Sequence, residues 1–117
     1  QKIFMANKYK IGYYYEWKTV KYLRKLGYDA WRTPASHSPI DVIAIHPKTK
    51  KILLIQIKAT SKDDFNFNSL SRDERAGLLE LVQRYKDFEN VEIELWIFFR
   101  KFKKRKIINL KNEIIKN

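Results

Sequence analysis

The chain has no cysteine, which excludes disulfides and zinc–thiolate sites. Histidine is scarce: His37 and His46 are the only two, and they form no metal-ligand cluster. No apolar run approaches the roughly 20 residues that a membrane span needs. The longest, Ile52–Ile55 and Leu95–Phe99, are strand-sized. No stretch has the charged-then-apolar layout of a secretory leader. No polar linker, repeat or low-complexity tract divides the 117 residues. These absences predict a soluble, cytoplasmic protein, a single domain over residues 1–117 with one modest core and no membrane partner. Negative charge is also in short supply. Asp and Glu number 13 against 25 Lys and Arg, a formal net charge of +12. On so small a domain that field captures polyanions, and nucleic acid is the first partner it predicts. A merely solvated lysine-rich surface is the plain alternative.

What is present is patterned. Residues 1–10 show no apolar period and predict a flexible basic lead-in. From Gly12 to Gly27 the period is helical, with Tyr13, Trp17, Val20, Tyr22, Leu23 and Leu26 as the apolar stripe and Gly27 as the stop. Residues 28–33, 41–45 and 52–58 predict three strands, the third almost continuously apolar, like a buried central strand. Ser71-Arg72-Asp73-Glu74 matches a capping box, with Ser71 as N-cap and Glu74 reaching back, and a helix follows through Tyr85. Residues 91–99 and 105–110 predict two more strands, joined by a basic hairpin from Arg100 to Arg105. The order α-β-β-β-α-β-β describes an α/β or α+β fold, a mixed central sheet flanked by helices.

The hairpin from Asp41 to Lys58 carries the chemistry. A turn centred between Lys48 and Thr49 sets Asp41 opposite Gln56, Ile43 opposite Leu54 and Ile45 opposite Ile52. Opposed residues share a face, and Lys58, two beyond Gln56, shares it too. A carboxylate, an amide and an ammonium then meet at one end of an apolar hairpin. Asp41 suits a magnesium ion, which takes oxygen ligands and keeps several waters. Gln56 offers a further oxygen, and Lys58 can stabilise developing negative charge. A simple Asp41–Lys58 ion pair is the bland reading of the same residues.

Asp41, then 14 residues, then Gln56-Ile57-Lys58 resembles the PD-(D/E)xK nuclease motif, and most of all the archaeal Holliday junction resolvases. Gly12-Tyr-Tyr-Tyr-Glu16 is similar to their first-helix Gly-x-x-x-Glu. Leu26-Gly27-Tyr28, Arg32 and Ser36-His37-Ser38 resemble the stretch before their catalytic Asp. Lys58-Ala-Thr-Ser-Lys62, Phe65 and Phe67 resemble the segment after their catalytic Lys. The resemblance implies a restriction-endonuclease-like fold and a homodimeric enzyme that cuts branched double-stranded DNA with Mg²⁺, or with Mn²⁺. It also implies an intracellular setting, archaeal or archaeal-viral. Glu16, Asp41, Gln56 and the Ile57 carbonyl would hold the ion. Lys58 would be the catalytic lysine, and Ser36 would lie near the scissile phosphate. Lys8, Lys10, Arg32, Ser38, Lys62 and Arg72 would touch DNA. Gln56 departs from the family pattern, which has Glu there. The other readings are a repair or transposition nuclease of the same superfamily, or a DNA-binding module with a decayed site. Mg²⁺-dependent nicking of branched DNA separates nuclease from binder.

Overall fold

A computed structural model of the chain describes residues 2–33 and 38–115, with side chains from Lys10 onward. Five strands lie side by side in chain order: β1 (Asp29–Arg32), β2 (Val42–Ile45), β3 (Ile52–Thr60), β4 (Val91–Phe99) and β5 (Lys104–Asn109). All neighbours are antiparallel except β3 and β4, which run parallel. A parallel neighbour requires a crossover. Here it passes through a 3₁₀ turn at Phe67–Ser69 and helix α2 (Arg72–Arg84). Helix α1 (Lys2–Lys25) precedes the sheet and α3 (Leu110–Ile115) ends the described chain. No helix among the described residues is long and apolar enough to cross a membrane.

The sheet splits the core into two layers. Val20 and Leu23 of α1 pack with Ala30, Val42, Ala44, Leu53, Ile55, Ile57, Trp96 and Phe98 on one face. Leu78 and Val82 of α2 pack with Val91, Ile93, Leu95, Ile97, Ile108 and Leu110 on the other. Alternate residues of β3 therefore serve opposite layers, so the strand reads as continuously apolar. At its end the second face turns polar, at Gln56 and Lys58.

Three expectations need correction. The lead-in over residues 1–10 is helical from Lys2. No proline occurs before Pro34, so nothing interrupts propagation of α1 toward its start. The predicted stripe holds for Val20, Leu23 and the packed Trp17, but Tyr13, Tyr22 and Leu26 are exposed. The inward line is Glu16, Val20 and Leu23, spaced four and then three apart. Leu110 belongs to α3, not β5: the Asn109 side chain accepts the Asn112 N–H (3.1 Å) and starts that short helix.

α1 ends in a Schellman motif, with Gly27 N donating to Arg24 O and Tyr28 N to Leu23 O, both 3.1 Å. Gly27 has φ +95°, and a Cβ there would lie 3.0 Å from His46 Nε2. Gly27→Ala should therefore cost about 1–2 kcal/mol of stability. An unchanged urea midpoint for this variant would contradict the account of the helix end.

Candidate active site

The β2–β3 ladder has the predicted register, pairing Ile43 with Leu54 and Ile45 with Ile52, but it stops at Val42↔Ile55. Asp41 leaves the ladder one residue before its expected partner. Its N–H donates to the Ile55 carbonyl and its Oδ2 accepts the Ile57 N–H, both at 2.8 Å. The carboxylate thus takes the N–H that a continuing strand would have met with a carbonyl. It still ends beside Gln56 and Lys58, in a cleft of about 700 Å³ that Glu16, Ser38 and Glu74 also line.

Each side chain is held. Glu16 Oε1 accepts both Arg32 Nε and Nη2 at 2.9 Å. The Arg32 guanidinium lies 4.2 Å from the Tyr13 ring centroid. Arg32, expected at DNA, is thus engaged by Glu16 and Tyr13. Ser38 Oγ accepts the Ile40 N–H at 3.1 Å. Lys10, Lys62 and Arg72 are exposed. Ser36, His37 and the side chain of Lys8 lie outside the described residues.

Glu74 is the residue that sequence reasoning missed as part of the site. The capping box is present as predicted: Ser71 N donates to Glu74 Oε1 (3.0 Å) and Glu74 N to Ser71 Oγ (3.2 Å). The other oxygen, Oε2, pairs with Lys58 Nζ and accepts Gln56 Nε2 at 3.4 Å. No local sequence signal distinguishes such a cap from any other; only the crossover brings α2 over the end of β3.

Burial pushes the Asp41 carboxyl up from 3.8 to about 6, although the Ile57 N–H and the Lys58 ammonium pull it down; Glu16 and Glu74 add to the rise. Burial also pushes the Glu74 carboxyl up, but the hydrogen bonds from Lys58 and Ser71 outweigh it and hold the group below the usual range. Gln56 is 6% exposed, and its Oε1 is a buried oxygen without a hydrogen-bond partner among the described residues. Such an oxygen calls for a donor or a cation. Among the described residues no three carboxylate or imidazole groups form a ready metal cage. The oxygen donors that line the cleft are the carboxylates of Glu16, Asp41, Asp73 and Glu74, the Gln56 amide and the strand backbone. That set fits a hard divalent ion which keeps part of its water shell.

On the other flank of α1 lies a second, basic cleft of about 530 Å³. Tyr14, Tyr15 and Lys18 form one wall, and Arg100, Lys103, Lys104 and Arg105 the other. A smaller hollow continues it past Arg100 to Lys10. The Arg105 guanidinium is packed against Tyr22 and Trp96, 4.4 and 5.0 Å from their ring centroids.

Residues 7–114 match the model of the archaeal Holliday junction resolvase (Hjc) family. No curated protein matches the chain significantly. A solved structure, the 1.6 Å structure of a Holliday junction resolvase from the archaeal hyperthermophile Archaeoglobus fulgidus, shares the fold with a TM-score of 0.64. Identity is 19%, over 86% of this chain and 73% of that one.

Proposed function

Because the chain belongs to the archaeal Holliday junction resolvase family, a family of junction-resolving nucleases, we propose that it cuts with the site at the end of β3 and as a homodimer. The observation that carries this reading is the convergence of Asp41, Gln56 and Lys58 with Glu16 in one cleft. Glu16, Asp41, Gln56 and the Ile57 carbonyl are the groups to hold a divalent ion, with Mg²⁺ first and Mn²⁺ second. When bound, the ion supplies acidity to water and charge compensation to the scissile phosphate. The chain's own groups do the rest. Arg32 fixes the Glu16 carboxylate, and the Ile57 N–H fixes that of Asp41. Lys58 donates to the oxygens on which negative charge builds. Ser38 and the exposed Lys10, Lys62 and Arg72 are the groups assigned to the DNA backbone in this reading.

A homodimer is proposed because a four-way junction is resolved by two related cuts, and a two-fold pair supplies two equivalent sites. Phe65 and Phe67 are partly buried against the second core layer, and Leu79 and Phe88 are further exposed apolar side chains. The test compares cleavage of four-way junction, flap and linear duplex, with and without Mg²⁺, alongside sedimentation. Paired, symmetric nicks in the junction by a dimer are expected. Equal cutting of all substrates by a monomer would overturn the resolvase geometry but leave a nuclease.

A further inference from the structure

The sequence puts an amide where the family motif has an acid, and the fold brings a carboxylate to the same spot from another element. We propose that Glu74, on α2, supplies the third acidic group of the ion site and that Gln56 and Glu74 form an exchanged pair. This deepens the nuclease reading above and rests on it. The geometry is specific. Glu74 Oε1 is occupied by the Ser71 N–H, which leaves Oε2 as the oxygen facing the cleft. Oε2 contacts both Gln56 Nε2 and Lys58 Nζ, the two motif side chains of β3. The capping box holds Glu74 at both ends, so its carboxylate is presented with little freedom to turn away.

Gln56 makes the pairing intelligible. Its Nε2 end faces Glu74, so its Oε1 end must point elsewhere, and that buried oxygen has no protein donor among the described residues. A carboxylate at position 56 would lie within hydrogen-bond distance of Oε2 of Glu74 and repel it. An amide there attracts it instead. Amide and acid together thus offer one charged and one neutral oxygen, with the charge on α2. Lys58 meanwhile provides the cation that Glu74 needs before an ion arrives. An ion held at Glu74 would compete with Lys58 for the same Oε2 oxygen and would leave the ammonium free for the phosphate.

The test measures Mn²⁺ binding to the intact protein by electron paramagnetic resonance and calorimetry, with junction cleavage assayed separately. Glu74→Gln retains the capping box, because Gln at that position reaches back as Glu does. It should weaken Mn²⁺ binding by roughly tenfold or more, the scale on which groups that build a metal site act. Adding Gln56→Glu to that variant should restore most of the affinity, since the carboxylate returns to β3. Gln56→Glu alone should not tighten binding, because it sets two carboxylates against each other. If Glu74→Gln binds Mn²⁺ like the wild type, Glu74 is only a helix cap and a partner of Lys58, and the proposal fails. It fails equally if the double variant is folded by circular dichroism yet remains weak. Failure of the nuclease reading itself has a different signature: wild-type protein that leaves junctions uncut in Mg²⁺ and Mn²⁺ alike.

Discussion

Lys58→Ala and Asp41→Asn each lower junction cleavage by about 10²–10³-fold or more, the range seen when one charge-stabilising group is removed from an active site. Junction affinity stays close to wild type, because many basic residues share the DNA and these two act at one phosphate. Gel shift and single-turnover cleavage on the same substrate read the two quantities apart. Equal losses of binding and cleavage, with circular dichroism unchanged, would mean that the cleft binds DNA and does not cut it. Asp41→Asn carries a second expectation. The folded carboxyl titrates near 6 against 3.8 ordinarily, so the folded state holds that proton more tightly than the unfolded state. Stability from this group is full below the ordinary value and is lost as pH rises through about 6. Asn has no charge to bury and still offers an oxygen to the Ile57 N–H. In chelator, above about pH 6, Asp41→Asn should therefore unfold at higher temperature than wild type, by at most about 3 kcal/mol of stability. Below the ordinary carboxyl pKa the difference should vanish.

The second large effect is expected in the basic cleft between α1 and the β4–β5 hairpin. Arg100, Lys103 and Lys104 stand on one wall, opposite Lys18 and Tyr14. Replacing those three with Gln should reduce the slope of log affinity against log salt by about 2–3, at roughly 0.9 for each duplex phosphate left without a cation. Affinity at low salt should fall by orders of magnitude, while cleavage by saturating enzyme remains. A slope equal to that of the wild type would identify the hairpin as a solvated surface that holds no phosphate. Lys101 is left out of the set because it already faces Asp63 at 3.6 Å.

Much of this molecule is legible in the sequence, for identifiable reasons. β4 spans the predicted residues 91–99, where Val91 and Ile93 alternate with Glu92 and Glu94 ahead of the apolar run from Leu95, and the capping box starts α2 at Arg72, because both signals are local. The hairpin register follows from the turn, in which Lys50 N closes on His46 O at 2.8 Å. Glu16 is legible through the Gly12-x-x-x-Glu16 resemblance, and the fold explains it: Glu16 continues the buried line of Val20 and Leu23 toward the sheet end. Three features are not legible. The start of α1 carries no apolar period, and its helicity comes from propagation without a breaker. α3 is shorter than two turns of pattern and reads as more strand. Asp41 leaves the ladder because its own carboxylate competes for the Ile57 N–H, a side-chain contact that periodicity does not encode. From its place in the motif, Gln56 reads as a weakened ligand for which a Glu would be an improvement. Its hydrogen bond to Glu74 favours the opposite outcome, in which added charge crowds an existing carboxylate.

The parallel pairing of β3 with β4 also sets the order in which this protein assembles. The β2–β3 hairpin is a local structure and closes quickly, bringing Asp41 near Gln56 and Lys58. Lys58 meets Ile97 across the ladder only after the whole crossover has folded back, and loop closure over that span is the slow, non-local step. A chain that ends at β3 therefore carries Glu16, Asp41, Gln56 and Lys58 but lacks Glu74, the partner of both Gln56 and Lys58. Only the docking of α2 and β4 buries Gln56 and gives Lys58 its carboxylate partner, so the last elements to join the sheet are the ones that set the environment of the first.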